Sequence, residues 1–241
     1  MNTIVKIKPT VDFSEYSTKY DLLLKNSQPY QKIRELFMEQ LLQKFDREQT
    51  FSFLDVGGGT GNFTKLILDY FPNAYGTLLD PSHDMLAYAR HKVGNSRRVR
   101  FIEDDFERYE SNNKFDLVLC VHALYLMPDS RALVPKFAEH LSETGTLMIC
   151  DIGQQIKVMN WAIYLFFQNV KTYGIMKAIS ILREGKKVIA ANRDIECKQK
   201  SGELWTHTLS EFKHMFEKYY KVDYATITYR GCSNMLICRL N

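Results

Sequence analysis

Apolar residues recur along the chain at two periods. Between residues 28 and 45, Ile33, Leu36, Phe37, Leu41 and Leu42 fall at three- and four-residue steps, which predicts an amphipathic helix ahead of the first strand. From residue 51 the pattern changes to short apolar runs separated by helical ones. Strands are predicted over 51–56, 75–79, 98–103, 115–121 and 145–151, with helices over 62–70, 82–92 and 129–141. Runs apolar on both faces need cover on both sides, so their alternation with helices predicts a parallel sheet between two helical layers. Local chemistry supports several boundaries: Pro72 and Asn73 stop one helix, Ser82 is placed to cap the next, and Gly145 precedes a buried strand.

Beyond Asp151 the character of the chain shifts. Residues 154–192 predict two helices broken near Tyr173 and Gly174, rich in Trp161, Tyr164, Phe166 and Phe167. Thr208 and Glu211 stand at capping-box spacing and open a helix to about Tyr219. Strands over 221–229 and 233–240 follow, with Gly231 permitting the tight turn of an antiparallel pair. This divides the chain into an N-terminal helical arm (1–50), a core (51–153 and 203–241) and a helical insertion (154–202). The insertion reads either as a lid over a substrate or as a dimer interface, so a homodimer stays open.

Charge narrows the partners. Thirty-two Lys and Arg against 28 Asp and Glu leave +4, too small a surplus to predict a nucleic-acid partner without a basic patch. Arg97, Arg98 and Arg100 form the tightest cluster, either a solvated loop entering a strand or a phosphate site. The five cysteines show no C-x2-C spacing, so no metal site is expected, and their odd number argues against a disulfide framework. A reducing cytoplasm is the expected compartment. Residues 1–10 lack the apolar run of a secretory signal. The apolar stretch over 156–182 is interrupted by Lys157, Asn160, Gln168, Asn169, Lys171 and Lys177, so no membrane span is expected.

The segment richest in chemistry is residues 51–63, where an apolar strand ends in Asp55 and runs through Gly57, Gly58, Gly59 and Gly61 into a helix. Glycines there let a ligand approach the backbone, and the helix start offers free amide donors. A dinucleotide fingerprint starting at Gly57 would want a small residue where Asn62 stands, whereas Gly57, Gly59 and Gly61 follow G-x-G-x-G. Asp55 suits a ligand with a cationic amino group better than a pyrophosphate.

Leu54-Asp-Val-Gly-Gly-Gly-Thr-Gly61 resembles motif I of class I S-adenosylmethionine-dependent methyltransferases, and further segments resemble that family's motifs in order. The resemblance covers residues 12–151 well and lies nearest the small-molecule branch, such as the ubiquinone and menaquinone methyltransferases. It implies a Rossmann-like, doubly wound α/β fold: a mostly parallel seven-stranded sheet with an antiparallel last strand, and the helical insertion after strand five. The implied cofactor is S-adenosylmethionine, with S-adenosylhomocysteine as product. Asp55 and the carbonyls around Gly57, with Gly59, would hold the methionine end. Asp80 would take both ribose hydroxyls, with Pro81 and Met85 by the adenine. Asp105 and the backbone amide of Phe106 would read the adenine edge, and Cys120 and Val121 would flank the cofactor. Tyr20, paired with Asp21, would fold over the methionine end, with Tyr16 a second candidate.

The departures are informative as well. No Asn-Pro-Pro-Tyr or Pro-Cys sequence marks an enzyme acting on nucleic-acid bases. Methyl transfer is an in-line displacement at a sulfonium, so positioning and exclusion of water matter most. His122 is the candidate general base, with a structurally anchored histidine as the other reading. The expected reaction methylates O or N of a small, partly apolar or aromatic molecule. Two alternatives stay open: an RNA or peptide methyltransferase approached over Lys171, Lys177, Arg183, Lys186 and Lys187, and a non-catalytic protein that binds the cofactor.

Overall fold

The computed structural model describes residue 21, residues 24–94 and residues 96–241. Helix α1 (Gln28–Lys44) precedes β1 (Ser52–Val56), α2 (Asn62–Tyr70), β2 (Tyr75–Leu79), α3 (His83–Val93), β3 (Val99–Ile102), β4 (Phe115–Val121) and β5 (Leu141–Ile152). The insertion carries α4 (Val158–Tyr173), α5 (Ile175–Glu184) and α6 (Lys186–Ser201), and α7 (Leu209–Glu217), β6 (Tyr220–Thr228) and β7 (Ser233–Leu240) complete the chain. The sheet runs β3-β2-β1-β4-β5-β7-β6. The first five strands are parallel, and β7 runs antiparallel to both of its neighbours. That is the Rossmann-like, doubly wound arrangement with a reversed last strand.

Side-chain alternation divides the core in two. Phe53, Leu117, Leu119 and Met148 point to the layer that holds Phe37, Leu41 and Ile67 of α1 and α2. Leu54, Val118, Cys120 and Leu147 point to the opposite layer, which holds Phe137 and the Phe212 and Phe216 rings of α7. Every side chain on these strands is therefore committed to one face or the other, and the strand ends are free to carry chemistry.

Local signals set most boundaries. The Ser82 hydroxyl accepts from the Met85 amide, and Thr208 and Glu211 form the reciprocal capping box. The helix expected over 129–141 does not form. Pro135 lacks the amide a helix interior needs, so residues 129–134 make turns and Pro135–His140 a short 3-10 stretch. The strand expected at 145 starts at Leu141 instead, and it slips register opposite Phe115 and Leu117. Gly145 makes that slip possible, because a Cβ there would lie 2.9 Å from the Phe115 carbonyl oxygen. The insertion holds three helices rather than two: the break at Gly174 is where it was expected, and a second falls at Gly185.

The basic cluster at the start of β3 resolves into one structural residue and two exposed ones. Arg97 and Arg100 are exposed. Arg98 is half-buried and donates to the Leu68, Phe71 and Ala74 carbonyls at 3.1, 3.0 and 3.2 Å, satisfying the open end of α2 and the turn after it. Arg98→Ala is expected to cost about 1–3 kcal/mol of stability, since it strands acceptors that were bound to a cation. Urea unfolding of the two proteins checks this, and an unchanged midpoint would show that water replaces the guanidinium without loss.

Candidate functional site

The glycine turn at the end of β1 is built from both sides. Gly57, Gly59 and Gly61 have φ of 64°, 53° and 75°, a left-handed conformation that favours glycine. The Gly57 and Gly58 amides donate to the Leu79 carbonyl at 2.8 and 3.2 Å, tying the turn to the end of β2. A Cβ on Gly57 would lie 2.4 Å from the Ala123 Cβ, so the segment after β4 packs directly on the turn. A Cβ on Gly59 would meet nothing nearer than the Asp80 carboxylate at 4.0 Å, which leaves this side of the turn open to a ligand.

Asp80 ends β2 and faces the turn. Its Oδ2 accepts from the Gly59 amide at 2.8 Å and its Oδ1 from the Ser82 amide at 2.9 Å. One acceptor position remains on each oxygen. Burial pushes its pKa up to about 6, against the pull of the two amide bonds. Asp55 lies beneath the turn: its carboxyl accepts from the Thr64 hydroxyl at 2.6 Å, and a Cβ on Gly58 would sit 2.9 Å from its Oδ2. Burial raises its pKa to about 7, partly offset by the Thr64 bonds.

Around this centre the other sequence-derived residues fall as follows. Pro81 is exposed beside Asp80 and Met85 is buried one turn along α3. Asp105 lies close enough to Asp80 to raise its pKa, and it pairs with Arg108 at 2.6 Å. The Phe106 ring turns inward against Phe137 at 4.6 Å. Cys120 is fully buried in the second core layer, while Val121, at the last position of β4, packs on the first. Tyr16 and Tyr20 lie outside the described residues.

Asp21 is described, and it reaches the turn. Its carboxylate receives the Thr60 hydroxyl at 2.6 Å and the Asn62 amide at 3.1 Å, and it pairs with Lys92 of α3. Lys92 also donates to Thr60 at 3.1 Å and to Asn62 at 2.7 Å, and burial lowers its pKa. The arm is thus clamped at Asp21 onto the turn and helix that follow the glycines. Thr60, Asn62 and Lys92 carried no sequence signal beyond their place near the motif.

His122 follows β4 with φ 54° and donates to or accepts from the Ser233 hydroxyl through Nε2 at 2.8 Å. Burial holds its pKa down to about 4. It lines a cavity of about 130 Å3 between the insertion and the ends of β4 and β5. Tyr125, Ile152, Trp161, Phe166 and Tyr229 form much of the wall, and among the described residues no Lys, Arg, Asp or Glu lines it. Of the described residues, none forms a helix long and apolar enough to cross a membrane.

Residues 53–145 match the family described as a methyltransferase domain. A malonyl-[acyl-carrier protein] O-methyltransferase from Ilyobacter polytropus is 31% identical over 109 residues, 45% of this chain and 42% of that protein. A trans-aconitate 2-methyltransferase from Enterobacter is 34% identical over 110 residues, 46% of this chain and 42% of that one. The chain therefore aligns with less than half the length of these relatives. Among solved structures, the N-methyltransferase NodS from Bradyrhizobium japonicum shares 11% identity with a TM-score of 0.62, covering 94% of this chain and 98% of that one. Magnesium protoporphyrin IX methyltransferase from Synechocystis shares 12% identity with a TM-score of 0.63, covering 94% and 97%. At these identities the two structures attest the fold, while the family match over residues 53–145 spans the strands, glycine turn and acids described above. The likeness to a methyltransferase domain is thus carried by residues 53–145, the part of the chain that holds the glycine turn and its acids.

Proposed function

We propose that this protein transfers a methyl group from S-adenosylmethionine to O or N of a small, partly apolar or aromatic molecule. The observation that carries the reading is the pairing of the open glycine turn with Asp80, whose two oxygens are fixed by the Gly59 and Ser82 amides and keep one acceptor position each. Two vicinal ribose hydroxyls fit that arrangement. When bound, the cofactor supplies a methyl already activated on a sulfonium. Asp55 braces the turn from below, Met85 offers an apolar wall towards the adenine, and the Asp105–Phe106 step lies beside Asp80. The Asp21 clamp holds this part of the arm against the same turn.

His122 orients the acceptor in this reading. With its pKa near 4 the ring is neutral throughout the physiological range, and it is a weak base there. A His122→Gln variant is expected to lose less than about tenfold in kcat, and kcat at saturating cofactor should follow the same pH profile in both proteins across the ordinary histidine pKa of about 6.5. A rate that falls through that pH in the wild type and not in the variant would restore the histidine as general base.

The insertion is the lid in this account, because its helices enclose the cavity next to His122. The named relatives act on malonyl-[acyl-carrier protein] and trans-aconitate, both acidic groups, whereas the described residues that line this cavity are uncharged, which favours an uncharged acceptor in this reading. Five free thiols suit work in a reducing cytoplasm. Incubation with methyl-labelled cofactor and a metabolite extract, read by mass spectrometry, should place label on a small molecule. Label on RNA or protein would overturn the acceptor class, and no label at all would support a binding protein without turnover.

A further inference from the structure

The cavity under the insertion has a size, a charge and a polarity that together specify an occupant. Its volume of about 130 Å3 is close to the roughly 150 Å3 at which an apolar cavity takes up benzene. Its walls are aromatic on one side, where Trp161 stacks on Tyr229 at 4.5 Å and Tyr229 meets His122 edge-on at 4.8 Å. Aliphatic residues of α5 and α6, such as Ile181 and Val188, form the other side. No described residue of the lining is ionised, so a carboxylate or ammonium entering it would lose its water without gaining a partner among them.

Two lining residues remain incompletely satisfied. Asn169 of α4 is 4% exposed and its Oδ1 has no hydrogen-bond partner; Ser27 is 2% exposed and its Oγ has none either. A buried acceptor in that condition favours a ligand that brings a donor. Strain gathers at the same place. His122, Tyr229 and Arg230, none of them glycine, hold φ of 54°, 50° and 54°, and the first two line the cavity. Backbone strain of this kind concentrates at ligand clamps. The cavity also adjoins the glycine turn, since Ala123, the residue after His122, is the one that packs on Gly57.

We propose that this cavity receives a single uncharged aromatic ring bearing one hydrogen-bond donor, and that this ring is the part of the methyl acceptor the protein holds. The placement beside the reacting methyl rests on the function proposed above; binding of the ring does not. The test titrates the full chain with phenol, toluene and benzoate by calorimetry, with and without S-adenosylhomocysteine, and titrates S-adenosylhomocysteine separately.

Phenol should bind saturably and at least about tenfold more tightly than benzoate. Ala162→Phe and Ala178→Phe each fill the cavity from a different helix and should weaken phenol by a similar factor while leaving S-adenosylhomocysteine binding intact. Asn169→Leu should abolish the preference for phenol over toluene. If one filling variant fails to fold cooperatively the other decides, and if both fail the Asn169→Leu preference decides. Benzoate binding as well as phenol, phenol affinity unaltered in a folded filling variant, or no phenol binding overturns the proposal. A chain that binds phenol and ignores S-adenosylhomocysteine keeps the cavity assignment and overturns the proposed function; the converse result overturns the cavity assignment alone.

Discussion

Replacing Asp80 with alanine is expected to raise the dissociation constant for S-adenosylhomocysteine by about a hundredfold to ten-thousandfold. The substitution removes two hydrogen bonds from ribose hydroxyls to a charged acceptor, each worth about 1.5–3 kcal/mol, and it also releases the Gly59 and Ser82 amides that the carboxylate now holds. Asp80→Asn keeps one acceptor oxygen and should lose an intermediate amount. The pH dependence follows from the raised pKa. Burial puts Asp80 at about 6, so below that value the carboxyl is protonated and offers one fewer acceptor. Affinity should therefore weaken as pH falls through about 6, while Asp80→Asn shows no such step. His122→Gln serves as the control, with affinity unchanged. Calorimetry from about pH 5 to 8 on the four proteins decides the matter, and an Asp80→Ala variant that binds like the wild type removes the ribose assignment.

What the sequence made legible is what is local in it. The strands of the parallel sheet stood out because burial on both faces demands unbroken apolar runs, as in Leu117, Val118, Leu119 and Cys120, which alternate between the two core layers. The glycines and the acids Asp55 and Asp80 stood out because a tight strand-to-helix turn leaves a short signature. The helix expected over 129–141 misread Leu133, Val134 and Phe137, whose helical spacing serves one buried face of a turn-rich segment broken at Pro135. The second break in the insertion sits between Glu184 and Lys186, where Gly185 caps both helices and is the one local signal, with no proline beside it.

The site was less legible wherever it joins distant segments. The contact between Asp21 and Lys92 joins the arm to α3, and His122 meets Ser233 across 111 residues. No periodicity carries such pairings. Asn169 and Ser27 likewise come to one cavity from an insertion helix and from the arm, so the polarity of the pocket emerges only once the chain is folded. Asp55 shows the converse: its place before the glycines was plain in the sequence, but its burial beneath the turn and its bond to Thr64 were not.

Gly57→Ala should cost about 3–5 kcal/mol of stability and remove measurable cofactor binding. A residue with a Cβ held at φ 64° costs roughly 1–2 kcal/mol in backbone strain, and the new methyl would stand 2.4 Å from the Ala123 Cβ, well inside contact distance. Relief requires the segment after β4 to move, and that segment carries His122 and Tyr125, two walls of the cavity. The disturbance therefore reaches both halves of the site. Ala123→Gly in the same chain separates the two causes, because it removes the steric partner and leaves the φ strain untouched. The double variant should regain more than half of the lost stability, measured by urea unfolding, and some cofactor affinity. A double variant no more stable than Gly57→Ala would show that conformation alone dictates glycine at this position, and that the turn and the β4 exit are not packed as tightly as their geometry requires.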